Sequence, residues 1–269
     1  MNWNKENILS LFLTLLLIII NIFEFFDKNI IGLISAIIIF YLVKYLGQSS
    51  VFDIFGLEKL KSIDEIFESN KKMASFIIRK SLWIFIPLFY MFLVSDTNLL
   101  SLGLSFNLCA SIQLILFIIL ILTTILIYVG TRWRAKNFKT FRKSFLVAFF
   151  AAGLPEDLLV IGLIGGKMHT LLIFYIPSIW STVLTLVLIN SFFCLSHIPS
   201  VKKAKKFYSE NMTQKNNMSY TRMFIQMFLL GLPGWILYFL SGHIYFSAWW
   251  HTLADISAFL PKKEESLDN

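Results

Sequence analysis

The sequence predicts an all-α, polytopic membrane helix bundle of about eight transmembrane helices. Three observations carry this prediction: long apolar runs recur along the chain, charge is scarce within them, and the basic residues gather on alternate connections. Of the 269 residues, 57% are hydrophobic and 15% are charged, with a mean hydropathy of +0.72. A soluble domain carries about 25% charged residues. The net charge of +8 reads as membrane topology and contact with an anionic leaflet, with no nucleic-acid partner implied.

A spanning helix needs about 20 apolar residues. Ile8 to Phe23 is a first run; no small-residue cleavage site follows Ile20, so it reads as a retained span. Glu24, Asp27, Lys28 and Asn29 make a polar turn before the second, Ile30 to Leu46. From about residue 48 to 80 the pattern changes. Leu57, Leu60, Ile63, Ile66 and Phe67 recur at helical spacing among Lys59, Lys61, Asp64, Glu65 and Glu68. An amphipathic helix on the membrane surface, or one that binds a soluble partner, has this pattern. The third span is Ser81 to Ser95 with Pro87 inside it, and the fourth is Phe106 to Val129. A basic loop, Thr131 to Lys143, leads to the fifth, Ser144 to Gly166. Leu171 to Ser196 is the sixth, stopped by Pro199. The basic stretch Lys202 to Arg222 precedes the seventh, Met223 to Leu240. After a Ser241-Gly242 turn the eighth runs from His243 to Leu260, and residues 262–269 form a polar tail.

With both termini in the cytoplasm, every one of the 24 Lys and Arg residues falls on the inner side except Lys28 and Lys167. That bias is what the positive-inside rule expects. Cys109 and Cys194 lie in apolar runs and read as small buried thiols, since neither a disulfide framework nor a metal knuckle is spaced this way.

Ionisable residues inside apolar runs are expensive and tend to line functional cavities. Glu156 and Asp157 lie within the fifth span, His197 ends the sixth, and His251 and Asp255 lie within the eighth. His251 and Asp255 are four apart and share a helix face, so the carboxylate can orient the imidazole. Glu156 and Asp157 are neighbours and point about 100° apart, which argues against both facing one point. A carboxylate and two histidines from three helices can activate a water, with the carboxylate as base and the imidazoles stabilising an oxyanion. They can equally bind a divalent metal such as zinc. An inert hydrogen-bonded network is the bland alternative. His169, beside Lys167 in an outer turn, and His243, at the start of the eighth span, read as solvated, and Trp249 and Trp250 as packing residues.

Glu156-Asp157-x-x-x-x-Gly162, then Phe193-x-x-x-His197, then His251-x-x-x-Asp255 resembles the signature of the CPBP family. That family includes type II CAAX prenyl endopeptidases, Abi proteins and bacteriocin-immunity proteins. The resemblance covers roughly Arg142 to Leu260, so it divides the chain into membrane helices over 1–130 and a CPBP-like catalytic bundle over 131–261. It implies an intramembrane endopeptidase acting on a membrane-associated peptide or protein. Glu156, His197, His251 and Asp255 would be the catalytic set, with Asp157 and Phe193 in support. Mechanisms with and without a metal are both implied, and Glu156, His197 and His251 would be the metal's ligands.

One departure stands out. The family's first motif is Glu-Glu-x-x-x-Arg, and here Ile161 occupies the arginine position. Asp157 therefore lacks the expected counter-ion: either desolvation holds it protonated or its shorter side chain reaches a different donor, and the apolar Val160 and Ile161 favour another group having taken it over. A non-catalytic immunity or sensor-regulating membrane protein is the rival function. A transporter is disfavoured because no internal repeat is visible. Low Ala with high Ile, Asn and Lys suggests an AT-rich bacterial genome and a place in the plasma membrane, which argues against a prenylated substrate.

Overall fold

The computed structural model describes residues 33–40, 63–94, 102–104, 111–135, 137–197 and 220–260, and every regular element among them is helical. Residues 33–40 form α1. Then come α2 (Ile63–Phe67), α3 (Asn70–Val94) and α4 (Ser111–Ala135). A continuous helical run, Phe138–Ile173, is α5. The remaining elements are α6 (Ser178–Ser196), α7 (Tyr220–Ser241) and α8 (Ile244–Phe259).

Among the described residues, four helices are long and apolar enough to cross a bilayer: Ser111–Arg132, Phe138–Ile173, Ser178–Leu195 and Phe224–Ser241. These correspond to the fourth to seventh expected spans. The segment expected as the eighth forms helix α8, whose 16 residues do not place it among these four. The first expected span lies outside the described residues, as do Cys109, the polar tail and the first part of the amphipathic segment. Of the second, only 33–40 is described.

Three boundaries differ from expectation, each for a local reason. Helix α3 begins at Asn70 and runs unbroken into the expected third span, so the polar segment and the span are one element from there on. Helix α5 does not stop at Gly166 but continues to Ile173. The break before the next helix lies at 174–177, because Pro177 restricts its own backbone (φ −53°, ψ 145°) and pushes the preceding residue out of helical geometry. His169 and Lys167 are consequently helical residues rather than turn residues.

Helix α5 is the centre of the bundle. Its first segment, Phe138–Ala148, is capped by Asn137, whose side chain accepts from the Thr140 backbone N–H at 2.9 Å. It buries Phe141, Ser144, Val147 and Ala148 on one face, while Lys139 and Arg142 are exposed on the other. From Leu158 to Gly165 every residue is buried. Helices apolar all round belong inside a bundle, and Leu158–Ile164 pack with Ile39, Leu102, Ile189, Trp235 and Ile244 in one cluster. Helices α3, α6 and α8 lie against successive parts of α5, and α7 joins α6 to α8. By contrast α4 turns a row of apolar side chains outward, with Leu114, Ile118, Leu122 and Leu126 exposed, as a helix facing lipid does.

Within α5, Phe149–Gly153 and Leu158–Gly165 are wound as π-helix, on either side of a single α-helical turn, Leu154–Asp157. Such bulges are rare and recur at functional sites. The turn between α7 and α8 depends on Gly242, at φ +69°, whose N–H closes on the Tyr238 carbonyl at 2.7 Å. A residue with a Cβ is strained in that conformation.

Two glycine substitutions separate helix propensity from packing. A Cβ on Gly153 would come within 2.6 Å of the Ala248 carbonyl oxygen, whereas one on Gly130 would meet nothing within 4 Å. Gly130→Ala is expected to be neutral or to stabilise by up to about 1 kcal/mol. Gly153→Ala should lose roughly 1–3 kcal/mol from overpacking. Thermal unfolding of the purified protein in detergent measures both.

Candidate functional site

The segment Leu154–Asp157 presents its two carboxylates towards α8, because α5 and α8 pack tightly at Gly153, just before it. A Cβ on Gly153 would also lie 2.5 Å from Thr252 Oγ1, so only glycine permits that contact. The approach places His251 opposite Asp157. The ring nitrogen Nδ1 lies 2.7 Å from Asp157 Oδ1, and as Asp157 has only acceptors to offer when ionised, Nδ1–H is the donor. The other oxygen of Asp157, Oδ2, accepts from Ser247 Oγ at 2.5 Å. The far nitrogen of the ring, Nε2, lies 3.3 Å from Asp255 Oδ2 and 3.9 Å from Glu156 Oε2. Thus one imidazole stands among three carboxylates.

Their exposure divides the labour. The Asp157 side chain is 7% exposed, whereas those of Glu156 and Asp255 are 37% and 49% exposed. Asp157 is a buried anchor, and the other two can exchange protons and water with the open space beside them. The expectation that Glu156 and Asp157 cannot serve one point needs correction. Two carboxylates set 100° apart reach the same group here because an imidazole has two ends, one facing each.

His197 caps the C-terminus of α6, and its Nδ1 donates to the Phe193 carbonyl at 2.9 Å. That bond leaves Nε2 for other partners. The Phe193 ring lies 4.5 Å from the His197 ring and 5.6 Å, edge-on, from the His251 ring. It fills the space between the two histidines. Asp157, Phe193, His197, His251 and Asp255 all line one cavity of about 150 Å³. One water requires only about 10–15 Å³ of such space, so there is room for several. Glu156 is not among the lining residues; it stands beside the cavity, across His251 Nε2.

The expected site residues are therefore brought together, with two changes of role. Asp157, expected only to support, is the group that holds the His251 ring through Nδ1. Asp255, expected to orient that ring, shares its Nε2 side with Glu156. Ser247 was missed, though a signal existed: Ser247, His251 and Asp255 are spaced four apart and form a polar stripe along α8. As for the metal set, among the described residues no group of three or more His, Cys, Asp or Glu side chains is arranged to hold a metal ion.

The other aromatic and imidazole groups singled out in the sequence do not all sit where expected. His243, expected in solvent, is buried, with Nε2 2.8 Å from Gln113 Nε2. His169 meets Thr182 Oγ1 at 3.1 Å and the edge of Phe239. Trp249 packs against Phe117 and Phe145. Trp250 both lines the cavity and donates to the Leu230 carbonyl at 2.7 Å. Cys194 is a free, buried thiol.

The depth of the site follows from the length of α5. At 36 residues the run is far longer than a bilayer requires, so its amphipathic opening, Phe138–Ala148, need not be in hydrocarbon at all. Asp157 lies nine residues beyond Ala148 on this helix and lines the same cavity as His197 at the end of α6.

Comparison with family models, with curated proteins and with solved structures gives no match for this chain. Its resemblance to the CPBP proteins rests on the residues quoted above and on nothing wider.

The partners of Asp157 are now visible. Both oxygens of Asp157 are occupied, by His251 and Ser247, and Ile161 is 3% exposed in the apolar core. Ile161→Arg is expected to bury a cation with no free carboxylate at Asp157, at a cost of several kcal/mol. The measurement is accumulation in membranes and thermal stability beside wild type. A variant as abundant and stable as wild type would show that Asp157 can still accept an arginine.

Proposed function

We propose that this protein is an intramembrane hydrolase that cleaves a peptide bond in a membrane-associated peptide or protein. The observation that carries the reading is the His251 imidazole, clamped by a buried carboxylate at Nδ1 and facing two accessible carboxylates at Nε2, beside a cavity large enough for water. Groups so costly in an apolar bundle need a purpose to persist there. Hydrolysis requires a polar, hydrated pocket of this kind.

In this reading a water sits between Glu156 and His251 Nε2. Glu156 takes one of its protons as the oxygen attacks the scissile carbonyl carbon. The carbonyl electrons move onto oxygen, and the resulting oxyanion accepts from Nε2–H of His251, whose ring carries a proton on each nitrogen in this reading because carboxylates face both of them. Glu156 then delivers its proton to the leaving nitrogen as the C–N bond breaks, giving an acid and an amine. Asp157 keeps the His251 ring in place throughout, and Asp255 holds the Nε2 side polar. The partners are the lipid bilayer and the peptide substrate, and no step uses a metal.

The same proposal includes eight spans in a bacterial plasma membrane, with both termini in the cytoplasm. Single cysteines placed at 136–143 and 202–222 should label from the cytoplasmic side, and those at 174–177 from the outside. The reverse pattern would overturn the topology.

Glu156→Gln preserves shape and removes the base. Cleavage of a fluorogenic library of apolar peptides by the purified protein in bilayer discs should fall by roughly 10²-fold or more. Accumulation and thermal stability should stay close to wild type. A variant with undiminished biological effect would instead mark a binding role, as in an immunity or sensor-regulating protein.

A further inference from the structure

We infer that Ser247 is a positioning residue, whose hydroxyl holds the second oxygen of Asp157 and so fixes the orientation of His251 and its Nδ1–H bond. The positioning stands on geometry alone, and its consequence for turnover rests on the hydrolase reading above.

The first support is where the hydroxyl goes. In apolar helices a serine or threonine normally returns its hydroxyl to the carbonyl one turn back. Thr123, Thr124, Thr131, Thr170, Thr182 and Thr252 all do so here, at 2.7–3.0 Å, whereas Ser81 and Ser181 donate to the Phe150 and His169 carbonyls of α5. Ser247 sits on the same helix as Thr252, yet donates to Asp157, 90 residues away in sequence. A hydroxyl has one proton to give, so the bond to Asp157 replaces the local one.

The second support is what surrounds it. Ser247 is fully buried, and its Oγ faces a close approach of α7. A Cβ on Gly234 would lie 3.1 Å from that oxygen and 3.3 Å from Trp250 Cδ1. Helix α7 closes behind the serine, as α5 closes on α8 at Gly153. Between these two contacts the Ser247–Asp157 bond has little room to rearrange.

The third support is the electrostatic need. A buried carboxylate must be satisfied at both oxygens, and His251 reaches just one. Without a donor on Oδ2, Asp157 would gain by turning that oxygen towards the cavity, which breaks the Nδ1–H bond. The imidazole would then be free to rotate, or to lose its Nδ1 proton. In that state Nε2 no longer faces Glu156 in a defined form. Serine thus serves in place of the absent arginine, as a neutral donor from a different helix.

The chain has four histidines, so ring nitrogen spectra of the full-length protein labelled with ¹⁵N-histidine, in bilayer discs, are simple enough to read. His251 is assigned by its loss in His251→Gln. Wild type should show one set of His251 signals with Nδ1 protonated. Ser247→Ala should split or broaden that set while melting within about 4 °C of wild type, the shift that about 1 kcal/mol produces at this size. Ser247→Thr, which keeps the hydroxyl, should restore it. If the alanine variant does not accumulate, Ser247→Cys, similar in shape but a weak donor, carries the same comparison. Unchanged His251 signals in the variant lacking the hydroxyl overturn the inference, whatever happens to activity. Disturbed signals in both alanine and threonine variants overturn it too, by assigning the effect to packing. Altered signals with undiminished peptide cleavage would leave Ser247 as a positioning residue and remove Glu156–His251 chemistry as the source of activity.

Discussion

A carboxylate buried among apolar helices has to find donors, and that need at Asp157 organises the rest of this structure. Asp157 draws Nδ1 of His251 to one oxygen and the Ser247 hydroxyl to the other. Both partners come from α8, so the requirement pins α8 against the middle of α5. The packing elsewhere accommodates this pairing. Gly153 removes a side chain where α5 meets α8, and Gly234 removes one where α7 meets α8. Once the anchor is set, the geometry of His251 follows, and with it the position of every group around Nε2.

Much of this was legible in the sequence, for a definite reason. Carboxylates and imidazoles in otherwise apolar runs are conspicuous, because hydrocarbon makes each one expensive. Glu156, Asp157, His197, His251 and Asp255 could be picked out on that ground alone, and all meet at or beside one cavity. Ser247 escaped notice because a serine in a membrane helix is ordinary, and its own backbone usually satisfies it. His243 was misplaced for a related reason. It lies at a helix end, where exposure is the default, and a glutamine 130 residues earlier covers it. Contacts of that range leave no trace in local pattern.

Element boundaries were legible to the extent that a single residue sets them. Gly242 ended α7 as expected, and His197 ended α6. The extension of α5 to Ile173 was hidden because Gly165 and Gly166 read as a helix end, whereas Pro177 is what stops the chain. The count of spans depends on apolar runs that look alike whether they cross a bilayer or fill the middle of a bundle. The wholly buried stretch Leu158–Gly165 shows how one run can be the core itself.

The π-wound segments on either side of Leu154–Asp157 have a consequence for how such a site can arise. Each wide turn holds an extra residue compared with an α-helical turn, so the helix beyond it is rotated by about 100° relative to an uninterrupted one. The direction in which Glu156 and Asp157 point is therefore recorded in the residue count of Phe149–Gly153 rather than in the carboxylates themselves. Removing one residue there would leave both acids in the chain and the apolar pattern nearly intact, yet would swing them away from His251. The wide segment beyond them, Leu158–Gly165, shifts the register again in the same sense before the helix packs against α6. A pair of such turns lets a short stretch be aimed independently of the long helix that carries it, as a swivel set into a shaft.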